Sequence, residues 1–408
     1  MIVSTSVWIT GQAQLSALGL SIEEFSASLS NPQSTATAVE INLPGLDSTL
    51  VPVYAAGFDS QSVKSPSKLP LDRSSALALG VVHQLLENTQ LNIDELDKSR
   101  IGIFWGSGMS GASSLDSATK ALYADKRRIR PTSVVTSMPN APAAEISLLL
   151  GIHGPCLTYA VACASSAVAI GEAMFAITAG RVDIAIVGGS ESMLSTGVLA
   201  SWDALRVIAN IDNGAEKACK PFDAKRTGFA LGEGAAAFVI ESSSHATQHG
   251  RSPLAILSGY ATNCDGLHMT NPSALGQQQA MLAALRYANL APNDIGYVNA
   301  HGTSTTAGDL AEAQSISHVF GEKQVPVSST KSMHGHLLGG GGAVELLVAL
   351  DVLSKGKAPH TVNLKTIDPN IQLDLIQNEP RELSNIRHVM SNSFAFGGTN
   401  AVLIASRP

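Results

Sequence analysis

The sequence predicts an α/β fold built from two similar halves, and three observations carry that expectation. Short apolar runs alternate with Ala- and Leu-rich stretches of helical length along most of the chain. With 408 residues, the chain exceeds what one small core usually organises. A weak internal echo also repeats one order of features. A helix opening at Cys163 is followed later by the strand-like GEGAAAFVIE, and a helix after HGHLLGGGG is followed by GGTNAVLIAS.

Taken in order, the first helix is expected over 72–87, followed by a strand near 100–108 (RIGIFWGSG). The run Tyr159-Ala160-Val161-Ala162 reads as a buried strand leading into a helix over 164–179. Strands follow at 182–190 (VDIAIVGGS) and 234–242 (GAAAFVIES). In the second half, LAILSGYAT, IGYVNAHGT, VPVSSTKS and HVMSNSFAFGGTNAVLIAS read as strands. Helices are expected there over 276–289, 308–319 and 342–354. The least regular stretches are 30–70 and 356–385, and no low-complexity linker divides the chain.

Only 14% of residues are charged and 45% are hydrophobic, so a large buried fraction is expected, extended by association between chains. A net charge of -7 argues against nucleic acid as a partner. An acidic partner would need a local basic patch, and Lys126, Arg127, Arg128 and Arg130 form the clearest one. The segment MIVSTSVWITGQAQLSALGLS lacks the basic start and continuous apolar core of a targeting signal. Apolar runs elsewhere are short or interrupted, so no membrane span and a cytoplasmic location are expected. The spacing of Cys156, Cys163, Cys219 and Cys264 matches no zinc pattern and calls for no disulfide framework.

Cys163 differs from the other three because it stands at a strand-to-helix corner. A thiol in the first turn of a helix meets unpaired N–H groups and the positive end of the helix dipole, which favour thiolate. Such a corner also projects a side chain out of the sheet, and Ala162, Ala164, Ser165 and Ser166 leave room for a carbonyl. A buried cysteine with no chemical role is the other reading. Three further stretches bear on the choice. VNAHGTSTTAGDLAEAQ sets His301 after a strand among hydroxyls, and SSTKSMHGHLLGGGGAVE offers Lys331, His334 and His336 before four glycines. SNSFAFGGTNA ends a strand in Phe396-Gly397-Gly398, a loop able to aim an N–H. Together these features point to acyl transfer. His334 and His336 would diverge on a helix and lack an acidic or thiolate partner at useful spacing, so no metal site is expected.

VNAHGTSTTAGDLAEAQ, STKSMHGHLLGGGGAVE, KPFDAKRTGFALGEGA and NSFAFGGTNA, in this order, resemble the elongating β-ketoacyl-acyl-carrier-protein synthases of the thiolase superfamily, closest to synthase II. The resemblance runs from about residue 100 to the C-terminus. It implies a thiolase-like fold of five α-β-α-β-α layers. One half, 1–250, would carry the nucleophilic cysteine, and the other, 251–408, the two catalytic histidines. It implies Cys163 as nucleophile, His301 and His336 as its partners, Lys331 beside them, and Glu345 supporting that lysine. It implies Phe396 as gate, with an oxyanion hole formed by the N–H groups of Cys163 and Phe396. Thr303 and Thr305 would bind the phosphopantetheine arm. The implied reaction is decarboxylative Claisen condensation of malonyl-carrier protein with a Cys-bound acyl chain, giving a 3-oxoacyl chain. The implied partners are an acyl carrier protein, which brings the phosphopantetheine, and a second subunit, identical or related. No further cofactor is implied. The alternative within the family is a non-elongating chain-length partner, which lacks the nucleophile. A thiolase would need a second cysteine late in the chain, and none follows Cys264; a starter-type synthase would pair Cys and His with Asn.

Several positions depart from the family pattern. His334 adds a titratable ring near the site, Gly339–Gly342 replaces Gly-Ala-Ala-Gly, and Ala395 replaces a glycine beside the gate, where an alanine is expected to stiffen the loop. Met109, Thr132 and Ser133 occupy positions expected to shape the acyl pocket, the last two in place of bulky aromatics. The basic run that would dock the carrier is thin, with Lys64, Lys68 and Arg73 as candidates. A preference for a longer, stiffer or unsaturated chain is therefore expected.

Overall fold

The computed structural model describes residues 6–42 and 47–408. Residues 1–5, at the head of the segment read as lacking a targeting signal, and 43–46, within the irregular stretch 30–70, lie outside it. In the first half, strand β1 (Val7–Leu15) precedes helix α1 (Arg73–Thr89), strand β2 (Ile101–Gly106) and helix α2 (Ala141–Leu150). Strand β3 (Cys156–Tyr159), helix α3 (Ser165–Thr178), strand β4 (Ile184–Glu191) and strand β5 (Gly234–Ser242) complete that half. The second half contains β6 (Ala255–Cys264), α4 (Ala274–Ala288), β7 (Ile295–Asn299), α5 (Thr306–Phe320) and β8 (Pro326–Ser328). It closes with α6 (Leu338–Lys355), β9 (His388–Phe394) and β10 (Thr399–Ser406).

The duplication is visible in the strand order. The first half runs β3-β2-β4-β5-β1 and the second β8-β7-β9-β10-β6. In both, the outer two pairings are parallel and the inner two antiparallel. The halves join where β1 pairs with β6 through Trp8 opposite Ile256 and Ile9 opposite Ala255. Helix α3 crosses between β3 and β4, and α6 occupies the same place between β8 and β9. These two helices pack on each other and touch strands of both halves, forming the central layer. Helices α1 and α2 cover the outer face of one half-sheet, and α4 and α5 that of the other. Five layers result, α-β-α-β-α.

Composition explains why α3 and α6 can lie between two sheets. Ala167, Val168, Ala169, Ile170, Ala173, Met174 and Ile177 of α3 are all buried, as a helix enclosed on every side requires. Gly171 is needed for closeness, since a Cβ there would fall 2.2 Å from the ring of Tyr260. Helix α6 starts earlier than its pattern suggested, because the run Gly339–Gly342 forms its first turn.

One strand lies earlier in the chain than its apolar pattern predicts. The strand before the nucleophile is 156–159, not 159–162, and it is half-exposed because it lies at the sheet edge. Val161 and Ala162 belong to the corner itself, where Ala162 takes φ +47° and cannot continue a strand.

Candidate active site

Three chain segments converge on Cys163. The first is its own corner. Ser165 Oγ donates to the Ala162 carbonyl (2.7 Å) and accepts from the Val161 N–H (3.0 Å), closing a tight turn just before α3. The left-handed Ala162 projects the next side chain away from the sheet. A Cβ on Gly106 would fall 2.2 Å from the Ser166 nitrogen, so only glycine lets β2 pass so close to this corner.

The second segment is the loop after β7. Two buried acids on α5, three residues apart, hold it by its amides. Glu312 accepts from the N–H groups of His301 (2.8 Å) and Gly302 (2.7 Å), and Asp309 accepts from Ser304 N–H (3.0 Å). Asp309 also accepts from Phe222 N–H (2.7 Å) and lies 3.4 Å from the Arg226 guanidinium. Burial raises the Asp309 carboxyl to about 7 against these donors. The third segment carries His336, whose N–H donates to the Ala230 carbonyl (2.7 Å) and whose carbonyl accepts from Gly232 N–H (3.0 Å). KPFDAKRTGFALGEGA thus clamps the backbone of the second histidine.

Cys163 Sγ lies 3.0 Å from His336 Nε2, and one ligand atom from each of Cys163, His301 and His336 falls within 4.8 Å of the others. The imidazole rings meet edge to face with centroids 5.4 Å apart. Lys331 Nζ donates to the His301 carbonyl (2.6 Å), lies 3.2 Å from His301 Nδ1, and pairs with the Glu345 carboxylate. An ammonium has no acceptor capacity, so His301 Nδ1 must accept and Nε2 must carry the ring proton. Burial holds both imidazoles well below the ordinary histidine range, and the Lys331 charge adds to the effect. Burial pushes the Glu345 carboxyl up to about 7 while Lys331 draws it down.

The thiol departs from the expectation. Burial pushes Cys163 up to about 12, although Lys331 and the N–H groups of Phe396 and Cys163 all act in the other direction. Desolvation outweighs the helix terminus, so the resting site holds a neutral thiol beside neutral imidazoles. His336 Nε2 is placed to take the thiol proton as the sulfur attacks. The two N–H groups that reach the sulfur are those named for the oxyanion hole.

The cavity above the thiol, about 260 Å³, is lined by His301, His336, Thr303, Thr305 and Phe396 among others. Thr303 and Thr305 exchange a hydroxyl hydrogen bond of 2.9 Å at its wall. Trp202 lies beside Phe396, with ring centroids 6.3 Å apart and planes 25° from parallel, and meets the edge of Phe229. Trp202 did not stand out in the sequence, nor did Asp309 and Glu312. The paired acids of GDLAE opening a mostly apolar helix were the available signal for the latter two.

Other candidates fall in different places. Met109 packs against the apolar cluster that contains Cys163 and Leu338, but does not itself line the cavity. Thr132 and Ser133 line a separate cavity of about 540 Å³ beside Arg127, Arg128 and Arg130, so within one chain they do not reach the thiol. Arg73 is committed internally, donating to the Ala56 and Phe58 carbonyls and pairing with Glu233, which leaves Lys64 and Lys68 exposed for a partner. Ala395 costs no strain, because the left-handed positions of the gate loop are Gly397 (φ +85°) and Gly398 (φ +80°). His334 is fully buried at the end of Lys331's short helix, with Nε2 3.0 Å from Thr330 Oγ1, and does not line the cavity. A soft metal ion would find three donor atoms in Cys163, His301 and His336, but the neighbouring ammonium and amide dipoles oppose a cation there.

This geometry coincides with a known protein family. Residues 4–246 match the beta-ketoacyl synthase N-terminal domain and residues 254–365 the beta-ketoacyl synthase C-terminal domain. The chain belongs to the β-ketoacyl synthase family. It is 36% identical over 410 residues to the 3-oxoacyl-[acyl-carrier-protein] synthase 2 of Vibrio cholerae, covering 98% of this chain and 99% of that protein. It is also 36% identical over 401 residues to nodulation protein E of Rhizobium leguminosarum bv. trifolii, covering 97% and 98%. Among solved structures, the ishigamide ketosynthase/chain length factor superposes with a TM-score of 0.89 at 26% identity, covering 99% of this chain and all of that one. In this β-ketoacyl synthase, the residues gathered at the cavity come from both matched domains, with Cys163 from the first and His301 and His336 from the second.

Proposed function

We propose that this β-ketoacyl synthase condenses a Cys163-bound acyl chain with malonyl-carrier protein, losing CO2 and giving a 3-oxoacyl-carrier protein. The observation that carries this reading is the 3.0 Å contact between Cys163 Sγ and His336 Nε2 in a site whose second imidazole is locked as an Nε2–H donor. In the first half-reaction the thiol proton moves to His336 Nε2 as sulfur attacks the acyl thioester. The N–H groups of Cys163 and Phe396 receive the oxyanion, and the departing pantetheine thiol takes the proton. In the second, Cys163 is acylated and no longer donates to His336, whose ring proton moves from Nδ1 to Nε2 by tautomeric exchange; malonyl thioester then binds with its carbonyl oxygen between His301 Nε2–H and His336 Nε2–H. Decarboxylation leaves an enolate on that oxygen, and its carbon attacks the acyl-cysteine, expelling the Cys163 thiolate, which takes a proton from water to restore the resting thiol. Neutral donors suit this step because they stabilise the enolate without supplying a proton to its carbon.

The presence of a nucleophile in this geometry favours catalysis over the non-elongating partner role. The donor of both acyl groups is an acyl carrier protein, with Thr303 and Thr305 accepting the pantetheine amide groups at the cavity wall. Its acidic surface would meet the exposed Lys64, Lys68, Lys126, Arg127, Arg128 and Arg130. A second subunit would cover the unpaired edge of β3 and the exposed Leu115, Val134, Val135, Met138, Leu148 and Leu157. An identical copy is the simplest occupant, and the ishigamide relative, by its name, pairs a ketosynthase with a chain length factor. Among the described residues no helix is long and apolar enough to cross a membrane, in keeping with work beside a carrier protein in the cytoplasm.

The aromatic rings of Trp202, Phe229 and Phe396 in the cavity lining support a flat, unsaturated acyl chain, of the polyene or polyketide kind, as the preferred donor. Saturated and conjugated acyl-carrier donors, offered together with malonyl-carrier protein and read as intact carrier masses, test both points. Condensed products carrying the conjugated chain preferentially are expected. An ordinary saturated preference would remove the chain assignment, and no condensed product with any donor would remove the enzyme.

A further inference from the structure

We infer that Glu191 is a positioning residue that sets the Met109 segment and the start of the helix that follows His336 from one carboxylate oxygen; this rests on the ketosynthase reading above. Glu191 is the last residue of β4 and is fully buried. Its Oε2 accepts from three backbone N–H groups on two distant segments: Gly108 (2.6 Å), Met109 (3.0 Å) and Gly339 (3.2 Å). Its Oε1 lies 3.4 Å from Ser107 Oγ. Among the described residues no ion pair reaches Glu191, and burial pushes its carboxyl up to about 7 against the pull of these amide donors.

The two segments joined by this oxygen touch backbone to backbone. A Cβ on Gly339 would fall 2.1 Å from the Gly108 nitrogen, and one on Gly108 would fall 3.1 Å from Glu191 Oε2. Gly339 lies in the first turn of α6, where an N–H has no intrahelical acceptor and the helix dipole favours an anion. Immediately before it, Leu338 takes the left-handed φ of +38°, a strained value for leucine, and lines the catalytic cavity two residues after His336. On the other segment, Met109 packs against the apolar cluster to which Cys163 and Leu338 belong. An acyl chain that displaces Met109 therefore pulls on the same atom that fixes the Leu338–Gly339 turn. Chain length, read at Met109, is thereby converted into placement of His336.

The test compares Glu191→Gln, which keeps an oxygen at the same reach, with Glu191→Asp, which withdraws it by one methylene. The readouts are Cys163 acylation by short- and long-chain acyl-carrier donors, followed as intact protein mass, and kcat and KM for each donor. Glu191→Gln is expected to retain the wild-type ratio of long- to short-chain kcat/KM. Glu191→Asp is expected to change that ratio by about tenfold, since small displacements at a reacting centre have effects of this size or larger. A merely structural role would scale every donor by one factor in both variants, and that result overturns the inference. So does a Gln variant that behaves as the Asp variant does. Should Glu191→Asp not fold, hydrogen exchange on the wild-type enzyme decides: loading a long acyl chain must alter exchange at 107–110 and at 338–340 together, and a change confined to one segment overturns the proposal. Absence of any acyl mass on wild-type Cys163 would instead sink the ketosynthase reading, and this inference with it.

Discussion

The Lys331 ammonium lies 3.2 Å from His301 Nδ1 and thereby fixes which nitrogen of that ring can donate into the cavity. Replacing Lys331 with methionine is expected to slow malonyl decarboxylation by about 10²–10³-fold, the usual effect of losing one aligned donor in such a site. Acylation of Cys163, which uses His336 and the backbone amides, is expected to fall much less. Separate measurement of CO2 release and acyl-enzyme formation checks the split, and an equal loss in both would reject this role for Lys331. Because Glu345 would lose its partner, the double variant Lys331→Met/Glu345→Gln is the matched control.

The raised thiol predicts how Cys163 responds to alkylation. With the sulfur held protonated up to about 12, the iodoacetamide rate should keep rising from pH 7 through pH 9 without a plateau, as read by mass spectrometry of the Cys163 peptide. A standing thiolate–imidazolium pair would give a flat rate across neutral pH.

Folding stability should decline in mild acid. His301, His334 and His336 are all held neutral by burial, so the unfolded chain binds more protons than the folded one once pH falls below about 6.5. Their stabilising share is complete above that value and is lost as pH falls toward the depressed folded-state values, which for His334 is about 3. At pH 5 the cost for His334, with its folded-state value of about 3, is about 2 kcal/mol, and His301 and His336 act in the same direction. Urea midpoints between pH 5 and 8 measure it, and His334→Phe, which leaves the cavity lining untouched, should flatten the curve by one histidine's share.

The glycine run separates into positions that need glycine and one that does not. A Cβ on Gly341 would meet no atom within 4 Å, whereas on Gly339 it would collide with the 107–108 backbone. Gly341→Ala should therefore stabilise the fold by about 0.5–1 kcal/mol, and Gly339→Ala should abolish activity. Thermal unfolding and turnover of the two variants test this together.

Trp202→Ala removes the ring that lies beside Phe396 at the cavity wall. Conjugated donors should lose kcat/KM relative to saturated ones of equal length, by about tenfold if a stacking contribution of about 1.4 kcal/mol is lost. An unchanged ratio would show that Trp202 does not read unsaturation.

Much of this site could be read from the chain because its chemistry sits in contiguous motifs. Cys163, His301, Lys331, His336 and Phe396 each lie in a run of small or glycine residues that a plain core would not need, and the structure brings them together. What escaped the reading was set by three-dimensional context. The thiol's proton affinity depends on desolvation, which outweighs the local helix terminus and is invisible in Ala-Cys-Ala-Ser-Ser. Arg73 resembles a free surface charge until Glu233, 160 residues away, is placed against it. Thr132 and Ser133 line a different cavity, and Trp202 gains meaning only from Phe396 beside it. Strand β3 was misplaced because an edge strand with one exposed face carries little apolar signal.

The most direct test is a His301→Ala variant followed by intact mass after addition of acyl-carrier donor and then malonyl-carrier protein. The acyl group should appear on Cys163 and persist, because the enolate has lost one of its two donors, while the wild-type enzyme clears it into a 3-oxoacyl-carrier product. A variant that condenses at the wild-type rate, or a wild-type enzyme that never carries the acyl group on Cys163, would contradict the account.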